Sequence, residues 1–257
     1  MKRSLKKLEG FTLRETDGEI GKVEDFYFDD QSWTIRYLIV RTGGWLSERK
    51  VLISPSVLQQ ADWDNKEFPV KLTKKQIENS PDIDTEKPVS RQQEEQLASY
   101  YPWEGYWGTD VDEHGAGIFG MMPSELYQSG NVQVQNPQNN VSDEHSDPHL
   151  RSADELKGYA IHTTDGQIGK VDDFIIDDRN WKINFLVVDT GTWLDRDKVL
   201  LSTKWITGVK WDNSVVIVNI STDAVQNSPD YDESQLNDNV YEKNLYNHYG
   251  KDWTAES

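Results

Sequence analysis

The chain has 257 residues and a formal net charge of −18 with no cysteine. Cysteine-free composition excludes disulfides, zinc–thiolate sites and thiol nucleophiles, and the acidic balance argues against a reader of phosphate backbones, which needs a basic stripe. At this length two domains can each bury a core of their own.

The N-terminus, MKRSLKKLEG, is basic but carries no apolar stretch, so it does not read as a secretory signal. No apolar run approaches the roughly 20 residues that span a bilayer. A soluble cytoplasmic protein is the expectation. Phe11-Thr12-Leu13 then reads as a short strand ending in the turn Thr16-Asp17-Gly18. Ile20, Val23, Phe26 and Phe28 follow in broken alternation, with Gly21 marking a bulge or a close backbone approach. The run WTIRYLIV from Trp33 is β-branched and aromatic. With the polar link Asp29-Asp30-Gln31-Ser32 it predicts a hairpin.

TGGWL closes that strand, and a short strand follows at Lys50–Ile53. Trp63-Asp64-Asn65 predicts a further turn, and Pro69 in the strand beyond it confines that strand to an edge or a bulge. Thr73 with Gln76 forms a capping box for a helix of one to two turns. Ser90 with Gln93 opens a second helix through Glu94, Leu97 and Tyr101.

From residue 156 the chain says this again. Residues 8–101 align with 156–249 without a gap. DGEIGKVEDF from Asp17 returns as DGQIGKVDDF from Asp165, Trp33, Trp45 and Trp63 return as Trp181, Trp193 and Trp211, and NSPD from Asn79 returns from Asn227. Spacing kept through loops as well as strands means a duplicated folded unit. The expected organisation is a first barrel-like domain over 1–103, a flexible acidic Gln/Asn-rich linker over 104–153, and a second barrel-like domain over 154–257. The second tail helix starts from Asp238 and runs through Glu242, Leu245 and Tyr249. Each tail puts a leucine and a tyrosine on one face, suited to covering a barrel edge or the opposite copy. Duplicated halves of this kind have an approximate two-fold relation available, so an intramolecular pseudo-dimer is expected.

The recurring pattern TDGxIGKVxDF, DD, W-x-I-x-(aromatic)-L-x-V-x-TG-x-WL and KVL(I/L)S resembles the PRC-barrel family, and the whole chain resembles tandem two-copy bacterial members of it. The resemblance implies a mainly β fold of two small barrels with short C-terminal helices, used as docking modules. It carries over no catalytic residues, cofactor or metal.

The residues themselves supply no enzyme motif. TGGWL follows a strand without opening a helix, so it is no phosphate cradle, and Ser54 and Ser202 have no partner histidine. The Asp29-Asp30 and Asp177-Asp178 pairs offer too few oxygens for calcium and read as hairpin turns. Pro148, between Asp147 and His149, argues against a continuous helix presenting His145 and His149 on one face. The expected function is a non-catalytic cytoplasmic protein–protein interaction or scaffold module without a cofactor, binding a protein partner and no nucleic acid. The alternative is a small-ligand or cation-binding protein using acidic barrel rims (Asp17, Glu24 and Asp25, with Asp165, Asp172 and Asp173). Candidate interaction residues are the loop tryptophans Trp45 and Trp193 and the tail aromatics Tyr100, Tyr101, Trp103, Tyr249 and Trp253.

Overall fold

The computed structural model describes residues 1–15, 18–44, 49–80, 150–191 and 198–254. The first half contributes β1 (Lys2–Ser4), β2 (Thr12–Glu15), β3 (Gly18–Asp29), β4 (Thr34–Thr42), β5 (Lys50–Ile53), β6 (Glu67–Pro69) and helix α1 (Lys74–Glu78). The second half contributes β7 (Leu150–Ser152), α2 (Ala153–Leu156), β8 (Ala160–His162), β9 (Gln167–Asp177), β10 (Lys182–Asp189), β11 (Lys198–Ser202), β12 (Ile206–Lys210), β13 (Val215–Val218), α3 (Thr222–Gln226) and α4 (Asn239–His248).

The duplication holds at the level of register. Val23 faces Val40 in β3–β4 as Val171 faces Val188 in β9–β10, and both hairpins then bulge, placing Asp25 opposite Ile39 and Asp173 opposite Val187. β2 and β8 each pair antiparallel with the long strand that follows and parallel with the last strand of the copy. The link between β3 and β4 is closed by Asp29, whose carboxylate accepts the Ser32 N–H at 2.7 Å and the Gln31 N–H at 3.2 Å. Trp33 and Trp181 leave these turns with φ of 55° and 59°. Pro69 has the expected effect. The first-half hairpin shrinks to the isolated bridges Leu58–Val70 and Asp62–Glu67, whereas its counterpart β12–β13 is a ladder from Ile206 to Lys210, bulged between Ile206 and Gly208, with Ile217 opposite Gly208. The Thr73–Gln76 capping box is present in both directions.

What joins the halves is an exchange of first strands. β1 lies antiparallel on β9 of the second half, with Arg3 opposite Ile176, and β7 lies on β3 of the first half, with Arg151 opposite Phe28. Each exchanged strand is tied by a buried carboxylate of the receiving half. Asp173 accepts the Ser4 hydroxyl at 2.5 Å and the Lys6 N–H at 3.0 Å, and Asp25 accepts the Ser152 hydroxyl at 2.5 Å and the Asp154 N–H at 3.0 Å. β4 also meets β10, with Thr34 opposite Lys182; the Ile35 N–H donates to the Trp181 carbonyl at 2.8 Å and the Ile183 N–H to the Trp33 carbonyl at 2.7 Å. The expected pseudo-dimer is therefore a single sheet system over one continuous core drawn from both halves. One boundary differs from the expected linker over 104–153. Leu150–Ser152 form a strand and Ala153 is buried at 1% exposure, because these residues are the second copy's exchanged segment. The rest of that linker lies outside the described residues.

The second tail is helical from its Asp238 cap, which accepts the Val240 N–H at 2.8 Å. Leu245 is fully buried, and Tyr249 packs on Trp205 with ring centroids 4.7 Å apart. The tail docks on its own barrel, yet it also grips the other half. Glu242 pairs with Lys2, and the Asn237 carboxamide accepts the Lys2 N–H at 2.7 Å. Leu97 and Tyr101 of the first tail lie outside the described residues. Leu245→Ala should cost about 2–5 kcal/mol, read as a lower denaturant midpoint. An unchanged midpoint would mean that the helix adds nothing to the fold.

Candidate functional site

Strand exchange produces two clefts that neither half could form alone. The first, about 630 Å³, lies between the Pro55–Phe68 arm of the first half and the Asp178–Trp181 turn of the second. Its apolar wall is Trp63, Phe68 and Trp181, with Phe68 and Trp181 ring centroids 6.1 Å apart. Its counterpart, about 380 Å³, lies between β12 with Trp211 and the Asp30–Trp33 turn of the first half.

The same three residue types meet beside both. Arg3 sits 4.0 Å over the Trp63 ring and its Nε donates to Asp178 at 3.0 Å; Arg151 sits 4.4 Å over Trp211 with its Nε 3.5 Å from Asp30. The exchanged strand brings the arginine, its own half supplies the tryptophan, and the opposite half's hairpin turn supplies the carboxylate. A guanidinium over an indole face gains from the ring quadrupole. The planar group can thus stack on the indole and hold the carboxylate at once. Next to Asp178, Asp177 takes a bidentate contact from Arg179, with Nη2 2.7 Å and Nε 3.0 Å away, and a further one from the Met1 amine. The Arg179 guanidinium first, and the amine after it, hold the Asp177 carboxyl well below the usual carboxylate range. These charges are paired with one another.

The acidic rims are differently occupied. Glu24 is engaged by Arg41 and by Lys50 at 3.1 Å. Asp172 is engaged by Lys198 at 2.8 Å and by Lys6 at 3.8 Å. Burial opposes ionisation of Asp172, but Lys198 and Lys6 outweigh it and hold the carboxyl below its ordinary value. Asp25 and Asp173 are turned inwards onto the exchanged strands. Among the described residues no three acidic or histidine side chains come together as a metal-binding group.

Of the aromatic residues singled out in the sequence, Trp45, Trp193, Tyr100, Tyr101 and Trp103 lie outside the described residues. Tyr249 is folded back onto Trp205, and Trp253 is half-buried against the core; neither reaches a cleft. Arg3, which lines the larger cleft, and its counterpart Arg151 escape a repeat that is aligned only from Leu8 onwards. The signal is nonetheless there: KRS at Lys2 and LRS at Leu150 have the same spacing as the rest of the duplication. Trp63 and Trp211 recur visibly in the sequence, but their local setting marks only a turn.

Among the described residues no helix is long and apolar enough to cross a membrane. No curated protein matches the chain. The PRC-barrel domain profile matches residues 2–77 and again residues 148–225, so that both matches begin at the exchanged strands. Covering more than half of the sequence in two tandem copies, with the mainly β fold described above, these matches show that the chain belongs to the PRC-barrel domain family.

Proposed function

We propose that this protein is a non-catalytic cytoplasmic interaction or scaffold module, and that its two composite clefts receive a protein partner. The observation that carries this reading is the recurrence of the Arg–Trp–carboxylate cluster at both clefts, Arg3–Trp63–Asp178 and Arg151–Trp211–Asp30. Both tryptophans are half-buried, and partly exposed tryptophan beside arginine is the composition of interface hot spots. PRC-barrel domains often serve protein interaction, which agrees with this use. The net charge of −18 favours a partner with a basic face. Cation binding at the acidic rims is the weaker reading, since Glu24 and Asp172 already hold lysine or arginine partners.

The test is a pull-down from the native cell with the full chain and with Trp63→Ala/Trp211→Ala. Partners captured by the wild type should be lost at least tenfold in the variant while its circular dichroism is kept. Equal capture by a folded variant would remove the clefts from the recognition surface.

A further inference from the structure

Glu9 and Lys157 hold equivalent places in the two copies, and their side chains meet: the Lys157 ammonium donates to the Glu9 carboxylate. Equivalent residues can touch only on the axis that relates them. The opposition of Thr34 and Lys182 marks a second point on that axis. Several cross-copy contacts lie off it and occur twice. Ser4 with Asp173 is repeated by Ser152 with Asp25, and Arg3 with Asp178 by Arg151 with Asp30. Such contacts would survive unchanged if two first copies, or two second copies, paired. The axis contact would not survive, because Glu9 would face Glu9 and Lys157 would face Lys157.

We propose that Glu9 and Lys157 determine which copies pair, so that the partner of each half is the unlike half, in the same chain or in a second copy of it.

The surrounding charges sharpen the argument. Asp154 lies 2.6 Å from Lys157, and burial pulls the ammonium's pKa down while Asp154 and Glu9 together hold it above the ordinary lysine value. Lys6 occupies the place of Asp154 in the first copy and reaches Asp172 across the interface at 3.8 Å. Two second copies would set Asp154 towards Asp172 in both directions, so that pairing is rejected off the axis as well as on it. Two first copies would set Lys6 towards Glu24 in both directions, which is favourable. Among the described residues that leaves Glu9 against Glu9 in the way, and like charges in a half-buried site repel more than they do in open solvent. Glu9 is thus the residue that excludes pairing between first copies.

Full-length Glu9→Lys and Lys157→Glu chains test this, each alone and as an equimolar mixture, with mass read by sedimentation equilibrium. In each single variant like charges meet on the axis. In the mixture the altered first half of the Glu9→Lys chain finds the altered second half of the Lys157→Glu chain, with opposite charges on the axis, and the two native halves find each other. The expected result is a dimer of about twice the chain mass in the mixture and monomer for each variant alone. Absence of the mixed dimer, or dimerisation of either variant by itself, overturns the proposal. Should a single variant fail to fold, the Glu9→Lys/Lys157→Glu double variant decides. Recovery of most of the wild-type melting temperature supports the axis pair, and no recovery overturns it.

Discussion

Replacing Gly169 by alanine should cost about 4 kcal/mol or more and leave the second copy unable to complete its barrel at ambient temperature. A Cβ at this position would stand 2.2 Å from the Asp189 carbonyl oxygen and 3.1 Å from the Thr190 Cα, and the residue's φ is +134°. Both obstacles are backbone, so no side chain can swing aside to make room. β9 and β10 cross closely here, with Lys170 opposite Asp189. The equivalent Gly21 would place a Cβ 2.2 Å from the Arg41 carbonyl oxygen, so Gly21→Ala should behave alike without the added φ strain. Gly208→Ala is the control. Nothing lies within 4 Å of the methyl it would add and its φ is ordinary, so the change should be within about 0.5 kcal/mol of neutral. The measurement is the guanidinium midpoint of each variant. A Gly169→Ala protein as stable as Gly208→Ala would show that the strands can separate freely, contrary to the paired register.

The sequence makes the repeating unit legible because its loops are as faithfully duplicated as its strands. Gly21, the Asp29–Ser32 turn, Pro69 and the Thr73 cap each act locally, through backbone approach, side chain to backbone hydrogen bonds, a missing N–H or helix capping, so local reading finds them. The exchange of β1 and β7 is a long-range event. Three residues, KRS or LRS, carry no alternation from which a strand can be recognised, and nothing local says which long strand they join. The clefts inherit that difficulty. Arg3, Trp63 and Asp178 lie far apart in sequence and become neighbours only after the halves have paired. Asp25 and Asp173 show the same limit. Grouped with Glu24 and Asp172 they look like an acidic rim, but the bulge in each long strand turns the second carboxylate of each pair inwards and leaves the first towards solvent beside lysine and arginine.

Stability should rise on acidification from neutral pH and pass through a maximum between about pH 4 and 5. Burial pushes the Asp25 carboxyl up to about 6 from its ordinary 3.8, against the lowering effect of the Ser152 hydroxyl, and the nearby Asp154 charge adds to the rise. Asp173 is raised in the same direction by burial, tempered by hydrogen bonds from Ser4 and the backbone and by the charge of Lys157. A carboxyl with a raised folded-state pKa binds its proton more tightly in the native protein. Its stabilising share is complete below about pH 4 and is lost as pH climbs through 6, which for Asp25 amounts to about 3 kcal/mol. Asp177 runs the other way. Its carboxyl is lowered by Arg179, so its contribution is present above about pH 4 and lost as pH falls further. Between about pH 4 and 6 the interface aspartates decide the slope, and below that Asp177 and the other lowered carboxylates reverse it. Asp25→Asn separates the two effects. An asparagine amide can donate to the Ser152 hydroxyl oxygen while its carbonyl still accepts the Asp154 N–H, so it mimics the protonated acid. The variant should melt about 5–10 °C above wild type at pH 7 and level with it at pH 4. A variant that keeps the wild-type slope between pH 4 and 7 would show that Asp25 does not titrate there and that the carboxylate stays ionised on the exchanged strand.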